Sequence, residues 1–291
     1  MKPAAFDYVA VHTPQEAVSA LAENPEETRV LAGGQSLVLD MNYRRERPAR
    51  LVDINGVAEL DRLEVSDKTL RVGALVRHRS FEEPVVAGPL GRLLSRVSHY
   101  IAHPPIRTRG TMIGSLAYAH PAAEWPAVAV ALDAELTLSG PEGERTVPAA
   151  GFFHGPFATA RRPQELLTEA RLPLLDENSG VGFAEQRRTQ ASFAMAAAVA
   201  QLTVEEGKVV TARIALANAA DRPLRTRRAE EFLLGGRPPG TEVFAEAGRR
   251  AAQEADPRPE PHAGVAYRRQ TIKVLVHRAL QQALTEITER A

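Results

Sequence analysis

Two turns that contain glycine have the residue types and spacing best suited to binding an anion. The first reads Ala32-Gly33-Gly34-Gln35-Ser36 and lies between two apolar segments, 29–31 and 37–41. Adjacent glycines let backbone N–H groups approach an anion that side chains would otherwise keep away. The second reads Arg109-Gly110-Thr111-Met112-Ile113-Gly114-Ser115 and lies too far along the chain to share one strand-turn-helix unit with the first. Two such turns predict a cofactor that carries a diphosphate.

Neither turn matches the dinucleotide fingerprint G-x-G-x-x-G. No third glycine follows Gly33 and Gly34, and residue 36 is a serine. In that fingerprint the glycines serve the tight turn, the approach to the pyrophosphate and the packing of helix on strand. A standard Rossmann domain is therefore disfavoured, and a lone Gly-Gly pair would be ordinary turn punctuation.

The composition is that of an ordinary globular protein, and it excludes several classes of function. Of the 291 residues, 44% are hydrophobic and 25% are charged, which is enough for two domains with their own cores. Lys plus Arg and Asp plus Glu both number 36, so no net charge attracts nucleic acid or an anionic membrane. The absence of cysteine excludes thiolate catalysis and cysteine-ligated zinc or iron–sulfur clusters on this chain. Redox chemistry here would require an organic cofactor.

The sequence contains no pattern typical of a targeting or membrane-spanning segment. Residues 1–8 lack a continuous apolar stretch, and no later window approaches the roughly 18 uncharged apolar residues of a membrane helix. We therefore expect no membrane insertion and a cytoplasmic protein.

The first part of the chain predicts a mixture of strands and helices. Thr13-Pro14-Gln15-Glu16 has the pattern of a helix cap with proline at the first helical position. A long helix is predicted over 81–101, ended by Pro104 and Pro105, and a further apolar segment covers 127–132. Short strands are predicted at 6–11, 29–31, 51–54, 63–65, 70–72, 136–138 and 146–147.

The pattern changes after a polar connector around residues 173–180. Phe193 to Val204 and Val209 to Asn218 predict two long strands joined by the turn 205–208. Helices are predicted next, at 227–234, 242–254 and 265–289. Strands followed by helices are typical of an α+β domain.

The other residues that could take part in chemistry give weaker evidence for a functional site. His99 and His103 have the spacing of two metal ligands on one helical face, but no third ligand is evident, so no metal site is expected. No serine lies in a G-x-S-x-G elbow, which leaves hydrolysis without support. The arginine-rich segments 44–47 and 225–228 are predicted to be solvated faces. Several aromatic side chains could wall a cofactor, although core packing is their more ordinary role: Trp125, Phe152, Phe153, Phe157 and Phe183. Phe193, just past the connector, could reach back across a domain cleft.

These motifs together resemble the FAD-binding medium subunit of the molybdenum hydroxylases, the family of aerobic carbon monoxide dehydrogenase and xanthine dehydrogenase. The resemblance covers nearly the whole chain and rests on the segments 32–36, 51–55, 106–111, 115–117, 121–124, 152–155, 165–169 and 266–269. It implies an α+β fold with a two-part N-terminal FAD-binding domain over 1–175, with subdomains at about 1–55 and 56–175. A smaller α+β C-terminal domain over 180–291 follows.

The resemblance also implies which residues bind FAD. The two turns hold its diphosphate through backbone N–H groups, Glu124 faces the ribityl chain, Leu167 lies near the flavin and Phe193 flanks the isoalloxazine ring. The implied set is Ala32, Gly33, Gly34, Gln35, Ser36, Thr111, Gly114, Ser115, Glu124, Leu167 and Phe193. No residue of this chain is implied to act as acid, base or nucleophile on a substrate.

The function implied by the resemblance is that of the flavoprotein subunit of a three-subunit oxidoreductase. Electrons would pass from iron–sulfur clusters on a small subunit through FAD to an acceptor such as NAD or oxygen. A large molybdopterin subunit would oxidise the substrate. Two alternatives stay open, namely a stand-alone flavoenzyme of this fold acting on a small molecule and a flavin-free scaffold subunit.

Two departures from the family pattern motivate these alternatives. The second turn has Ile113 where the common T-I-G-G motif has a glycine. If that position required a positive φ, an isoleucine there would be strained by about 1–3 kcal/mol and would weaken flavin binding. The common A-H-A-D-P run also reads Ala117-Tyr118-Ala119-His120-Pro121 in this chain.

Overall fold

The N-terminal part of the chain forms a small parallel sheet in the computed structural model, which describes residues 2–290. The strand order is β1-β3-β2, and helices supply the crossovers that parallel strands require. The helix cap predicted at Thr13 is confirmed, since Thr13 Oγ1 accepts a hydrogen bond from the Glu16 N–H at 3.1 Å. The elements are β1 (Asp7–Ala10), α1 (Pro14–Glu23), β2 (Thr28–Leu31), α2 (Leu37–Asn42) and β3 (Arg50–Asp53).

An antiparallel five-stranded sheet in the order β4-β5-β10-β6-β7 follows, with helices packed around it. The predicted strands 63–65 and 70–72 pair as one hairpin of this sheet, and the predicted strands 136–138 and 146–147 pair as another. Short 3-10 helices lie at Ala58–Leu60 and His78–Phe81. The elements are β4 (Leu63–Ser66), β5 (Thr69–Gly73), α3 (Gly88–Ser98), α4 (Pro104–Arg107), α5 (Met112–Tyr118), α6 (Glu124–Ala131), β6 (Glu135–Gly140), β7 (Gly143–Pro148), α7 (Ala149–Phe152), β8 (Phe153–Gly155), β9 (Ala158–Thr159) and β10 (Leu166–Pro173).

The prediction of one helix over 81–101 is wrong in its first third. Pro84 cannot donate to a helix, and Gly88 has a φ of +85°, so α3 begins only at Gly88. The apolar residues that carry the helical period of this segment are nevertheless buried, namely Leu90, Leu93, Leu94, Val97 and Ile101. Pro104 and Pro105 begin the short helix α4, because proline is well suited to the first helical turn.

The C-terminal part is an antiparallel sheet in the order β11-β12-β13-β14, covered on one face by helices. Helix α10 lies close to the sheet, because a Cβ at Gly180 or Gly182 would overlap the carbonyl oxygens of Ala283 and Ala279. The predicted hairpin and the three helices are confirmed in this part. The elements are β11 (Ser179–Arg187), β12 (Ala194–Glu205), β13 (Lys208–Ala217), β14 (Leu224–Arg225), α8 (Arg227–Leu233), α9 (Thr241–Glu254) and α10 (Val265–Thr288).

The other face of the C-terminal sheet packs against α3 and α6 of the N-terminal part. Phe183 of β11 is fully buried there and meets the Tyr100 ring edge-on, with centroids 5.0 Å apart. Arg225 also lies in this junction, where its Nη1 is 2.9 Å from Asp133 Oδ1 and its Nε pairs with Glu230. Its predicted place on a solvated face is therefore wrong, because two carboxylates from different elements draw the guanidinium inward.

Candidate functional site

A cavity of about 430 Å³ lies where the N-terminal parallel sheet, the five-stranded sheet with its helices and the segment just before β12 meet. Its size is typical of a small-molecule or cofactor site. The structure brings all of the sequence-predicted binding residues to its wall, although they come from segments far apart in the chain. They are Ala32, Gly33, Gly34, Gln35, Ser36, Thr111, Gly114, Ser115, Glu124, Leu167 and Phe193.

The two glycine turns touch each other at this wall. A Cβ on Gly33 would overlap the Arg109 carbonyl oxygen and would lie only 2.7 Å from Gly110 Cα. Gly34 has a φ of +71°, a backbone conformation that favours glycine. One glycine therefore permits the contact between the turns, and the other permits the bend of the first turn.

Asn55 and Arg77 hold the two turns together. Asn55 Nδ2 donates to the Ala32 carbonyl oxygen at 3.0 Å, and Arg77 Nη2 donates to Asn55 Oδ1 at 2.6 Å. The Nη1 group of Arg77 donates to the Arg109 carbonyl oxygen. Sequence reasoning missed Arg77, because its role depends on contacts between segments that no local pattern reveals.

Both turns present backbone N–H groups that are free to bind a ligand. Free donors grouped beside a cavity are typical of phosphate-binding nests, because nearly all other backbone donors in a folded protein are paired. Within the described part of the chain, no acceptor is found for the N–H groups of Gly33, Gly34, Gln35, Ser36, Thr111 and Ile113.

Ile113 does not distort the second turn. It lies in the first turn of α5 with a helical backbone, and its side chain is only 2% exposed in the N-terminal core. Thr111 caps the same helix, since its Oγ1 accepts from the Gly114 N–H at 2.9 Å. The strain anticipated for a positive φ at position 113 is therefore absent.

Aromatic side chains gather where the C-terminal domain meets the cavity. The Phe193 ring stacks on the His120 ring, with centroids 4.0 Å apart and planes 5° from parallel. Burial lowers the pKa of His120, so this is a stack of uncharged rings at neutral pH. Phe193 is 56% exposed, which leaves it accessible to an aromatic ligand.

Two further polar side chains line the cavity near these residues. Tyr118 Oη donates to Asp40 Oδ2 at 2.8 Å, and burial together with this hydrogen bond raises the pKa of Tyr118 to about 12. Arg161 also lines the cavity, where its Nη1 donates to the carbonyl oxygens of Pro163 and Glu165. Because Arg161 forms no ion pair with a residue between 2 and 290, its charge is available to an anionic ligand.

The His78 ring packs against Gly110 of the second turn. Its Nδ1 accepts a hydrogen bond from Trp125 Nε1 at 3.0 Å, and its Nε2 lies 2.8 Å from the position that a Cβ on Gly110 would occupy. Burial, and then the charges of Arg107 and Arg77, lower the pKa of His78 to about 4. The ring is therefore neutral in the folded protein at neutral pH.

This neutral histidine predicts a loss of stability in acid. The unfolded chain binds a proton at His78 near the ordinary pKa of 6.5, whereas the folded chain binds it only near 4, so stability falls as the pH drops through this window. Between about pH 7 and about pH 4, the unmodified protein should lose about 3 kcal/mol of unfolding free energy because of this histidine. His78→Gln should lack that part of the loss. Urea unfolding at both pH values measures this difference. His154→Gln, at an exposed histidine, is the control and should behave like the unmodified protein; identical acid sensitivity in the two variants would contradict the assignment.

The other residues considered from sequence lie away from the cavity wall. Trp125, Phe152, Phe153 and Phe183 are at most 2% exposed and pack in the core. Phe157 is exposed and meets the His120 ring edge-on at 5.3 Å. His99 and His103 do not line the cavity, and the described residues contain no group of three or more side chains arranged to hold a metal ion.

Comparison with known proteins identifies matching families along most of the chain. Residues 4–175 match the family described as the FAD binding domain in molybdopterin dehydrogenase. Residues 182–283 match the CO dehydrogenase flavoprotein C-terminal domain.

Individual relatives match over nearly their full lengths. The chain is 38% identical to the 6-hydroxypseudooxynicotine dehydrogenase complex subunit alpha of Paenarthrobacter nicotinovorans, over 98% of this chain and 96% of that one. It is 35% identical to the carbon monoxide dehydrogenase medium chain of Hydrogenophaga pseudoflava, over 81% and 82% of the two chains. Among solved structures, a carbon monoxide dehydrogenase from Hydrogenophaga pseudoflava matches with a TM-score of 0.95 and 32% identity, over 98% of this chain and 99% of that one. Quinoline 2-oxidoreductase from Pseudomonas putida 86 matches with a TM-score of 0.93 and 33% identity, over 99% of both chains.

Proposed function

Because this chain belongs to the family of FAD-binding medium subunits of molybdenum hydroxylases, we propose that its two glycine turns hold the FAD diphosphate. The free backbone N–H groups that both turns present at one cavity carry this proposal. They match the chemistry of phosphate oxygens, which accept hydrogen bonds from backbone nests. Arg161 adds a positive charge at the same cavity.

The remaining predicted residues suit the rest of the cofactor. Phe193 offers an aromatic face to the isoalloxazine ring, Leu167 an apolar wall, and Glu124 a carboxyl group to the ribityl hydroxyls. FAD, when bound, supplies the ability to accept electrons and pass them to an acceptor, while the protein supplies orientation and electrostatics. On this proposal no side chain of this subunit acts on the oxidised substrate.

We also propose that the subunit works in a cytoplasmic heterotrimer with a large molybdopterin subunit and a small iron–sulfur subunit. Two relatives are named as the medium chain and as the alpha subunit of dehydrogenases, which supports a multi-subunit assembly. The chain has no cysteine, so any iron–sulfur cluster must be ligated by another polypeptide. Between residues 2 and 290, no helix is both long enough and apolar enough to cross a bilayer.

The range of relatives indicates where the substrate is selected. Subunits similar to this chain belong to enzymes named for carbon monoxide, caffeine and nicotine, which are a diatomic gas and two much larger nitrogen heterocycles. Related subunits of one fold that serve such different substrates support a substrate pocket on another subunit. We therefore propose that the large subunit selects the substrate.

Titration of the purified chain with FAD tests the proposed function. We expect one FAD to bind per chain, with quenching of flavin fluorescence, and the two partner subunits to co-purify from the native host. A chain that binds no FAD under any condition would contradict the proposal and favour a flavin-free scaffold. Turnover of a small molecule by the isolated chain, without partners, would favour a stand-alone flavoenzyme.

A further inference from the structure

The stacked rings of His120 and Phe193 cross the junction between the two domains. His120 lies just after α5 in the N-terminal part, whereas Phe193 lies just before β12 of the C-terminal sheet. Their centroids are 4.0 Å apart and their planes differ by 5°, so each ring covers one face of the other. Both side chains line the cavity, and Phe193 is still more than half exposed. An aromatic ligand can therefore stack on the face of Phe193 that His120 leaves uncovered.

Contacts on two sides fix the orientation of the His120 ring. The Ala122 N–H donates to His120 Nδ1 at 3.1 Å, so the neutral ring carries its proton on Nε2. The Phe157 ring meets the same imidazole edge-on, with centroids 5.3 Å apart. A ring held at one nitrogen and packed by a second aromatic side chain has little freedom to rotate. His120 therefore gives Phe193 a fixed surface to stack on.

Asn218, directly after β13, connects the two chain segments that carry these rings. Its backbone N–H donates to the Pro121 carbonyl oxygen at 2.8 Å, and its Nδ2 donates to the Ala194 carbonyl oxygen at 2.7 Å. Pro121 follows His120 in the sequence, and Ala194 follows Phe193. Asn218 has a φ of +54°, a left-handed conformation that asparagine adopts more readily than most residues. The backbone is thus held across the domain junction immediately beside the stacked rings.

The hydrogen bond to Ala122 does not by itself require a histidine at position 120. An asparagine or aspartate oxygen commonly accepts a hydrogen bond from the backbone N–H two residues on. What histidine adds is a flat ring of the right size to cover one face of Phe193. The role of the imidazole can therefore be separated from the role of the acceptor by substitution.

We infer that His120 is a positioning residue for the flavin, because its ring backs Phe193 and keeps the uncovered face of Phe193 aligned with the isoalloxazine ring of bound FAD. The inference rests on the proposed function, in which Phe193 offers an aromatic face to that ring. The two glycine turns, which are proposed to hold the diphosphate, lie elsewhere on the cavity wall. Loss of the His120 ring should therefore weaken binding of the isoalloxazine half of FAD and leave the diphosphate half unaffected.

Comparison of FAD with ADP tests this inference on the full chain freed of flavin. ADP carries the adenine and a diphosphate but no isoalloxazine ring. In His120→Asn, which keeps an acceptor for the Ala122 N–H but removes the ring, we expect the FAD Kd to rise about fivefold and the ADP Kd to change less than about twofold. In His120→Phe, which restores a ring without the acceptor, the FAD Kd should return to within about twofold of the unmodified value.

His154→Asn is the matched control, because it makes the same substitution at an exposed histidine that does not line the cavity. It should leave both dissociation constants unchanged. An unchanged FAD Kd in His120→Asn, or an equal rise for FAD and ADP, would overturn the inference. So would a His120→Phe protein as weak as His120→Asn, since the acceptor would then be the part that matters. Failure of the unmodified chain to bind FAD at all would instead overturn the proposed function.

Discussion

Gly33→Ala should purify as a folded protein without flavin. The added Cβ would overlap the Arg109 carbonyl oxygen and approach Gly110 Cα to 2.7 Å, so the two turns would have to separate. Both neighbours are backbone atoms, which cannot give way as a flexible side chain would. Because the proposed diphosphate site needs N–H groups from both turns at once, we expect FAD affinity to fall about a thousandfold, equivalent to about 4 kcal/mol. Flavin content after purification and a fluorescence titration measure the loss.

Gly151→Ala is the matched control for this substitution. Gly151 lies in α7, and a Cβ there would meet no atom within 4 Å. This variant should retain one FAD per chain. The thermal midpoints of both apoproteins show whether the loss of flavin in Gly33→Ala reflects the site or general unfolding. Full flavin content in Gly33→Ala would show that the contact between the turns is not needed for binding.

The local elements of this fold were largely predictable because their signals are local. The cap at Thr13, the hairpin turn at 205–208 and the long helix from Val265 each depend on residues within a few positions of one another. The segment 81–87 was mispredicted because its apolar residues continue the helical period, while Pro84 and the positive φ of Gly88 interrupt the backbone. A periodicity argument weighs side chains and overlooks such backbone interruptions.

Grouping these residues as one candidate site was possible from the sequence, but the geometry that brings them to one cavity was not predictable. Glycine pairs and a threonine cap are visible in sequence, so the two turns could be found before the structure. The contact of Gly33 with Gly110, and the bridge from Ala32 through Asn55 and Arg77, depend on how two subdomains pack. Nothing in the neighbourhood of Arg77 in the sequence signals that role.

Ile113 illustrates how a motif can mislead about conformation. A glycine in a family motif invites the assumption that its position needs a positive φ. In this chain position 113 belongs to the first turn of α5, where the backbone is helical and any residue is tolerated. The proposed diphosphate site would need only the free N–H group of position 113, which isoleucine provides as well as glycine. The main sequence argument for a flavin-free scaffold is thereby removed.

The segment that carries Phe193 is held in place from within the C-terminal domain. Asn218 Nδ2 donates to the Ala194 carbonyl oxygen at 2.7 Å, and Arg268 Nε donates to the Met195 carbonyl oxygen at 3.1 Å. Arg268 is 1% exposed and also donates to the carbonyl oxygens of Arg258 and Asn218. One buried guanidinium thus connects the Phe193 segment to two separate loops.

Arg268→Met should be among the most destabilising single substitutions in this protein. It keeps an unbranched apolar stem as far as about the position of Nε but leaves three carbonyl oxygens without their donor in a buried place. Removing one partner from such a buried polar network costs about 3–5 kcal/mol of unfolding free energy. We also expect FAD affinity to fall about tenfold, since a looser segment 193–195 would no longer hold the Phe193 ring in a fixed position. Urea unfolding and FAD titration measure the two effects.

The neighbouring arginine separates a loss of charge from a loss of these specific contacts. Arg269 is half-exposed, and its closest carboxylate oxygen, Asp256 Oδ1, is 4.0 Å away, so Arg269→Met should change stability by less than about 1 kcal/mol. Both variants remove one positive charge from adjacent positions of α10, so any general electrostatic effect would appear in both. Equal destabilisation by the two substitutions would mean that the Arg268 contacts add nothing. A large loss in Arg268→Met alone, with weaker FAD binding, would show that the C-terminal domain helps to form the flavin site.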